Sequence, residues 1–192
     1  MKAALMYARW NWPVMAGTAA TLGDGGSSGI DEVVTPTVDP DRVHRWWGSR
    51  PDANIVVPTG AMFDVISMPS PIGRAVLDVL ADRGAWLAPV MSDGDALSLL
   101  VRPRQGSPWT ELARTDGLTY LGPGHLITLP SGGTPFDGQA RWVIPPTDAN
   151  VLRLPQFAEL APVLRSLPRS SPRPGLQHAD HPSRSNQSEE LP

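Results

Sequence analysis

Between Asp39 and Gly84 the chain leaves little freedom in what it can become. Asp39 followed by Pro40 is a cap and first-turn pair that starts a helix, and Val43, Trp46 and Trp47 give that helix an apolar side before Gly48 and Pro51 end it. Two short β-branched runs follow, Ile55–Val57 and Met62–Ile66, joined through Pro58-Thr59-Gly60, and they read as buried strands. From Pro71 to Arg83 the residues Ile72, Ala75, Val76, Val79 and Leu80 recur at helical spacing, with Gly84 at the C-terminal stop. A helix, two strands and a helix in direct succession call for helices laid on a sheet.

The rest of the chain extends that pattern. Residues 1–9 place Ala4, Leu5 and Ala8 on one face of a short helix, and Trp12–Met15 reads as a strand that ends at Ala16-Gly17. Residues 18–37 are small, polar and weakly periodic, which predicts a loop. Strands are expected at Trp86–Met91, Ala96–Val101, Leu118–Leu121, His125–Leu129 and Ala140–Ile144. Ser107-Pro108 opens a short helix through WTELAR, and Pro155–Leu167 is a last helical stretch that Pro162 is expected to kink or split. The fold class is therefore α+β (mixed α/β), with a domain over residues 1–150, a helical extension over 151–167 and a Pro/Ser/Arg-rich tail over 168–192 that is expected to be disordered.

Composition removes several functions. With 192 residues, 41% of them hydrophobic, one domain with a real core is expected, and a net charge of −3 gives no global basic field for tight nucleic-acid binding. The absence of cysteine excludes disulfides, thiolate zinc sites and cysteine nucleophiles. Neither a signal peptide nor a membrane span is expected, so the cytoplasm is the expected location. No G-x-S-x-G elbow supports a hydrolase triad.

The order of these pieces resembles the N-terminal domain of bifunctional DNA primase/polymerases, the prim-pol branch of the archaeo-eukaryotic primase superfamily. The matching segments are AALMYARWNWPV, TPTVDPDRVHRWWGSRP and ANIVVPTG, and the likeness covers roughly residues 3–146. The resemblance implies a primase/polymerase-like domain with a central, mostly antiparallel sheet flanked by helices. It also implies a nucleotidyltransferase that uses two or three carboxylates to hold divalent metals against the attacking hydroxyl and the triphosphate.

Those carboxylates are missing. In the family the first two acids stand two residues apart on one strand face, ahead of a helix-opening glycine; aligned on Gly73, their places hold Ser67 and Pro69. Asp64 is three residues before Ser67 and is expected on the opposite strand face. The family's Gly-Gly-x-His strand is matched best by Asp93-Gly94-Asp95-Ala96-Leu97-Ser98, with Ala96 in the place of the histidine. The third motif keeps its turn and strand in DGLTYLGPGHLITLPSGG but offers Thr119 near the acid's place, with Asp116 the nearest carboxylate. Asp93 and Asp95 read more simply as a hairpin turn, and turn initiation explains Asp116 as well.

Two function classes follow. The first is a catalytically inactive module in a DNA-replication-related context, without a cofactor, that binds a nucleotide, single-stranded nucleic acid or a protein partner. Its cleft candidates are Thr59, Gly60, Ser67, Arg102 and His125, and its base-stacking candidates, if exposed, are Trp46, Trp47 and Trp109. The second is an active DNA primase/polymerase that uses Mg²⁺ or Mn²⁺ on relocated ligands drawn from Asp64, Asp93, Asp95 and Asp116. Gly23–Gly29 lacks the ending of a phosphate loop, and His178 and His181 read as an unstructured pair.

Overall fold

The computed structural model describes residues 1–17, 35–85, 88–116, 118–132 and 140–166. The expected loop at 18–37 (apart from its last residues), the start of the strand at Trp86 and the tail at 168–192 lie outside them.

Among the described residues five helices and eight strands follow in the order α1 (Lys2–Arg9), β1 (Met15–Gly17), α2 (Pro40–Ser49), β2 (Asn54–Pro58), β3 (Asp64–Pro69), α3 (Ser70–Asp82), β4 (Val90–Ser92), β5 (Ala96–Val101), α4 (Gly106–Asp116), β6 (Thr119–Leu121), β7 (Leu126–Leu129), β8 (Arg141–Ile144) and α5 (Phe157–Ser166). The strands form two antiparallel sheets. The smaller has the order β1-β2-β7 and the larger β6-β3-β5-β4-β8.

The sequence placed these elements well and their edges less well. Trp12 lies in the core rather than in a strand, and β1 begins at Met15, one residue past an isolated bridge between Val14 and Thr37. The strand expected at Met62–Ile66 runs instead over Asp64–Pro69, because β5 pairs with it down to Ala96. Proline closes such a strand readily, since a terminal residue need not donate to the ladder. Pro162 sits inside α5 without dividing it.

The chain passes between the sheets three times, from β2 to β3, from β6 to β7 and from β7 to β8, and Thr59 ties the first two crossings together. Its N–H donates to the His125 carbonyl (2.8 Å), and its buried hydroxyl donates to the Gly122 carbonyl. Gly60, at φ +96°, follows it in a conformation open to glycine, and a Cβ there would collide with Pro123. On one face of the larger sheet α3 packs so closely that a Cβ on Gly73 would stand 2.6 Å from Leu97. This glycine does not open the helix, which starts at Ser70; it lets the helix approach the sheet. α5 packs on α3 and α4, with Leu160, Ala161, Val163 and Leu164 in the core.

An aromatic cluster joins the two halves. Trp12 stacks on Tyr7 (centroids 5.6 Å apart) and meets Phe63 edge-on (4.7 Å). The Tyr7 hydroxyl donates to the Pro130 carbonyl beyond β7 (2.6 Å) and accepts from the indole N–H of Trp142 on β8 (2.8 Å), so one side chain bridges both sheets. Burial pushes its pKa up to about 12.

Candidate site on the open face of the larger sheet

Register decides which side chains meet. Ser67 on β3 lies opposite Ser98 on β5 and Thr119 on β6, and Pro69 lies opposite Ala96. Directly opposed residues in an antiparallel sheet share a face. All four positions at which the sequence lacks its expected catalytic residue (Ser67, Pro69, Ala96 and Thr119) therefore converge on one patch, with Ser98 among them. The patch is reachable from solvent: Pro69 and Thr119 are exposed, and Ser67, Ala96 and Ser98 are half-buried. The same face is closed further along β3, at Val65 and Leu100. The Ser98 hydroxyl donates to that of Ser67 (3.1 Å), which leaves hydroxyl capacity for a ligand.

Asp64 points the other way. It lies opposite Val101 on the helix-covered face, is 0% exposed, and its Oδ2 accepts from the Arg104 N–H (2.8 Å) and the Tyr120 hydroxyl (2.6 Å). Among the described residues its Oδ1 has no hydrogen-bond partner. Burial raises the Tyr120 pKa, and the hydrogen bond to Asp64 and the carboxylate charge raise it further. Arg104 takes a left-handed backbone conformation (φ +63°) to reach this position, and its Nε donates to the Gly60 carbonyl (3.1 Å). Asp64 is thus an internal acceptor that fixes the residue 102–105 turn and β6.

The other relocated-ligand candidates are not gathered. Asp93 and Asp95 sit in the β4–β5 hairpin, where Asp93 Oδ1 accepts from the Ala96 N–H (2.9 Å) and the Asp95 carbonyl accepts from the Ser70 N–H (2.8 Å). They are at the far end of β5 from the partner of Asp64, on the order of 20 Å along the strand, too far to share a metal. The side chain of Asp116, and all of His178, His181 and Gly23–Gly29, lie outside the described residues. Among those described, no group of three or more His, Asp or Glu side chains could hold a metal ion. Hydroxyls, a methyl and a proline ring are a poor donor set for Mg²⁺ or Mn²⁺, and the divalent pair that the fold implies does not fit this patch.

Several cleft and stacking candidates have other occupations. Thr59 and Gly60 are buried in the crossing, and His125 is exposed beside it, with Nδ1 2.9 Å from the Gly122 carbonyl. Arg102 is exposed, but it follows β5 four residues beyond Ser98, with its N–H on the Pro155 carbonyl (2.9 Å). Trp109 is fully buried edge-on against Phe157, and Trp47 is buried with its indole N–H on the Ala53 carbonyl (2.9 Å), so neither can stack a base. Of the three indoles only Trp46 reaches solvent, half-buried beneath the Arg42 guanidinium. Sequence reading did not single out Ser98 or Tyr120; Ser98 lay two residues past Ala96, at strand spacing, and that was its only signal.

Matched against family models, residues 4–157 fit the bifunctional DNA primase/polymerase N-terminal domain (Prim-Pol). The chain belongs to that family. No curated protein and no solved structure gives a significant match. The primase/polymerase-like α+β architecture is thus established, and no helix among the described residues is long and apolar enough to cross a membrane.

Proposed function

We propose that this prim-pol domain performs no nucleotidyl transfer of its own and binds a nucleotide or single-stranded nucleic acid on the half-open face of its larger sheet. One observation carries the reading. Ser67, Pro69, Ala96 and Thr119 are neighbours in register, as the family's catalytic groups would have to be, and none of them is a carboxylate or a histidine. Phosphoryl transfer is catalysed almost wholly by positioning and by charge that metals supply, so a patch that cannot hold metals retains only the positioning. Serine and threonine hydroxyls donate to phosphate and sugar oxygens and accept from base and sugar donors without any ion. Family membership favours such a ligand over a protein partner, and a DNA-replication context belongs to the same proposal.

The test is incorporation of dNTPs and NTPs on a primed template with Mn²⁺, beside thermal-shift measurements with the same nucleotides. The expected result is no incorporation, with nucleotide-dependent stabilisation that Ser67→Ala/Thr119→Ala removes. Incorporation by the wild type that is lost in Asp93→Ala or Asp116→Ala would replace this reading with an active polymerase on relocated ligands.

A further inference from the structure

The helix layer behind the larger sheet carries a knob and a hole side by side. The hole is an open groove of about 720 Å³ between α3 and α5, lined by the apolar Leu80, Ala85, Pro155 and Leu160 and the charged Arg153 and Glu159. The knob is Leu152. It is 85% exposed, whereas no other large apolar side chain among the described residues exceeds 48%. It stands at the rim, since Asn150 before it and Arg153 after it both line the groove. A lone exposed leucine on a loose loop needs no explanation, but this one is fixed from both sides. The Thr147 N–H donates to Asn150 Oδ1 (2.7 Å), the Asn150 N–H donates back to Thr147 Oγ1 (3.2 Å), and the Asn150 amide donates to the Pro145 carbonyl (3.0 Å). On the other side Leu154 is buried and the Pro155 carbonyl accepts from the Arg102 N–H. The leucine is thus presented in place, and docking it costs little ordering entropy. Arg153 and Glu159 are exposed, and among the described residues neither is in an ion pair. Glu159 Oε2 accepts from the Gln156 N–H (2.7 Å), which leaves its other oxygen for a partner.

We infer that this face is a two-fold interface between copies of this chain, in which Leu152 of each enters the groove of the other and Arg153 of each meets Glu159 of the partner subunit. Self-complementarity selects a second copy as the occupant. An apolar knob with a cation beside it, next to an apolar groove with an anion in its wall, matches itself after a two-fold rotation, and such a contact closes at two subunits. An unrelated protein would have to bring the leucine and cation that this chain already holds beside the groove. A small apolar ligand would fill the groove and leave Leu152 in water. The interface goes beyond the sheet-face reading and does not rest on it: α3 lies against Leu97, whose side chain points to the opposite side of the sheet from Ser98, so pairing leaves the hydroxyl patch open.

Sedimentation velocity of the full chain from about 1 to 200 µM tests this, since a contact of modest size corresponds to a Kd on the order of 10 µM. Wild type is expected to pass from monomer to dimer across that range. Leu152→Asp should weaken the dimer on the order of a hundredfold and leave thermal unfolding at low concentration unchanged, because in the monomer the side chain is already in water. Arg153→Glu should weaken it about tenfold, and Arg153→Glu/Glu159→Arg should recover most of that loss. The chain has no cysteine, so mixing Leu152→Cys protein with Ala85→Cys protein under mild oxidation reads the docking directly. A disulfide between the two variants is expected in excess over one between two copies of Leu152→Cys. Monomer at every concentration, or a dimer that Leu152→Asp leaves intact, overturns the inference. Association that continues past the dimer overturns it as well, as does a disulfide formed only between copies of Leu152→Cys.

Discussion

Asp64 and Ser67 stand three residues apart on one strand and belong to different parts of the molecule. Asp64 faces the helices, where Ile66, Met68, Leu97 and Leu99 make an apolar layer, and every bond that its Oδ2 accepts is internal. Ser67 faces the open side, among Ser98, Thr119, Ala96 and Pro69, where hydroxyls outnumber the partners offered to them. The comparison teaches that in a strand the chemistry of a residue is settled by its parity before its identity. The one carboxylate on β3 is on the face where a substrate cannot reach it, and the reachable face has none.

The contrast can be broken most directly by deleting one side chain from each face. Asp64→Ala removes the acceptor for the Arg104 N–H and for the Tyr120 hydroxyl, and leaving such donors unpaired should cost about 3 kcal/mol. In a chain of this size that is a fall in Tm of about 9 °C by calorimetry. Ser67→Ala, which breaks one half-exposed hydroxyl pair, should cost less than about 1 kcal/mol. Equal losses would mean that the two faces do not differ as described.

A smaller effect is expected at alkaline pH. Tyr7 and Tyr120 are the only tyrosines in the chain; burial pushes Tyr7 up to about 12 and also raises Tyr120, to which Asp64 adds. Both phenols lose their protons more readily in the unfolded chain. Their contribution to stability is therefore complete below the ordinary tyrosine pKa of about 10, and it is lost as pH climbs towards the folded values. Spectrophotometric titration should show phenolate absorbance delayed in the folded protein and ordinary in urea. Coincident curves would remove both tyrosines from the account of the core.

The gentlest perturbation sharpens the comparison most. Ser67 and Thr119 are paired across β3 and β6, which puts Cβ atoms about 5 Å apart. Ser67→Asp/Thr119→Asp should cost less than about 1 kcal/mol, because both positions reach solvent, and should create a Mn²⁺ site detectable by electron paramagnetic resonance. A folded double variant with no gain in Mn²⁺ affinity would show that the register has lost the metal geometry along with the acids.

Much of this was legible in the chain itself. The Asp39-Pro40 cap, the stripe from Ile72 to Leu80 and the β-branched runs fixed the type of each element, because caps, periodicity and proline act within a few residues. The opposite facing of Asp64 followed from strand parity alone, whereas the places of the expected acids at Ser67 and Pro69 were implied only by the family resemblance. Sequence could not show that Thr119 and Ser98 flank Ser67, since pairing between β3, β5 and β6 joins residues far apart in the chain. Nor could it separate Trp46 from Trp47 and Trp109: all three are indoles on helices, and burial was decided by where α2 meets β1 and α4 meets α5. The roles of Thr59, Tyr120 and Arg104 were also hidden, because each is set by a single polar contact across the fold. Local chemistry wrote the elements and the family pattern into the sequence. Only packing decided which side chains became core, which became internal anchors and which remained free to meet a ligand, because burial and register are properties of surfaces brought together from distant parts of the chain.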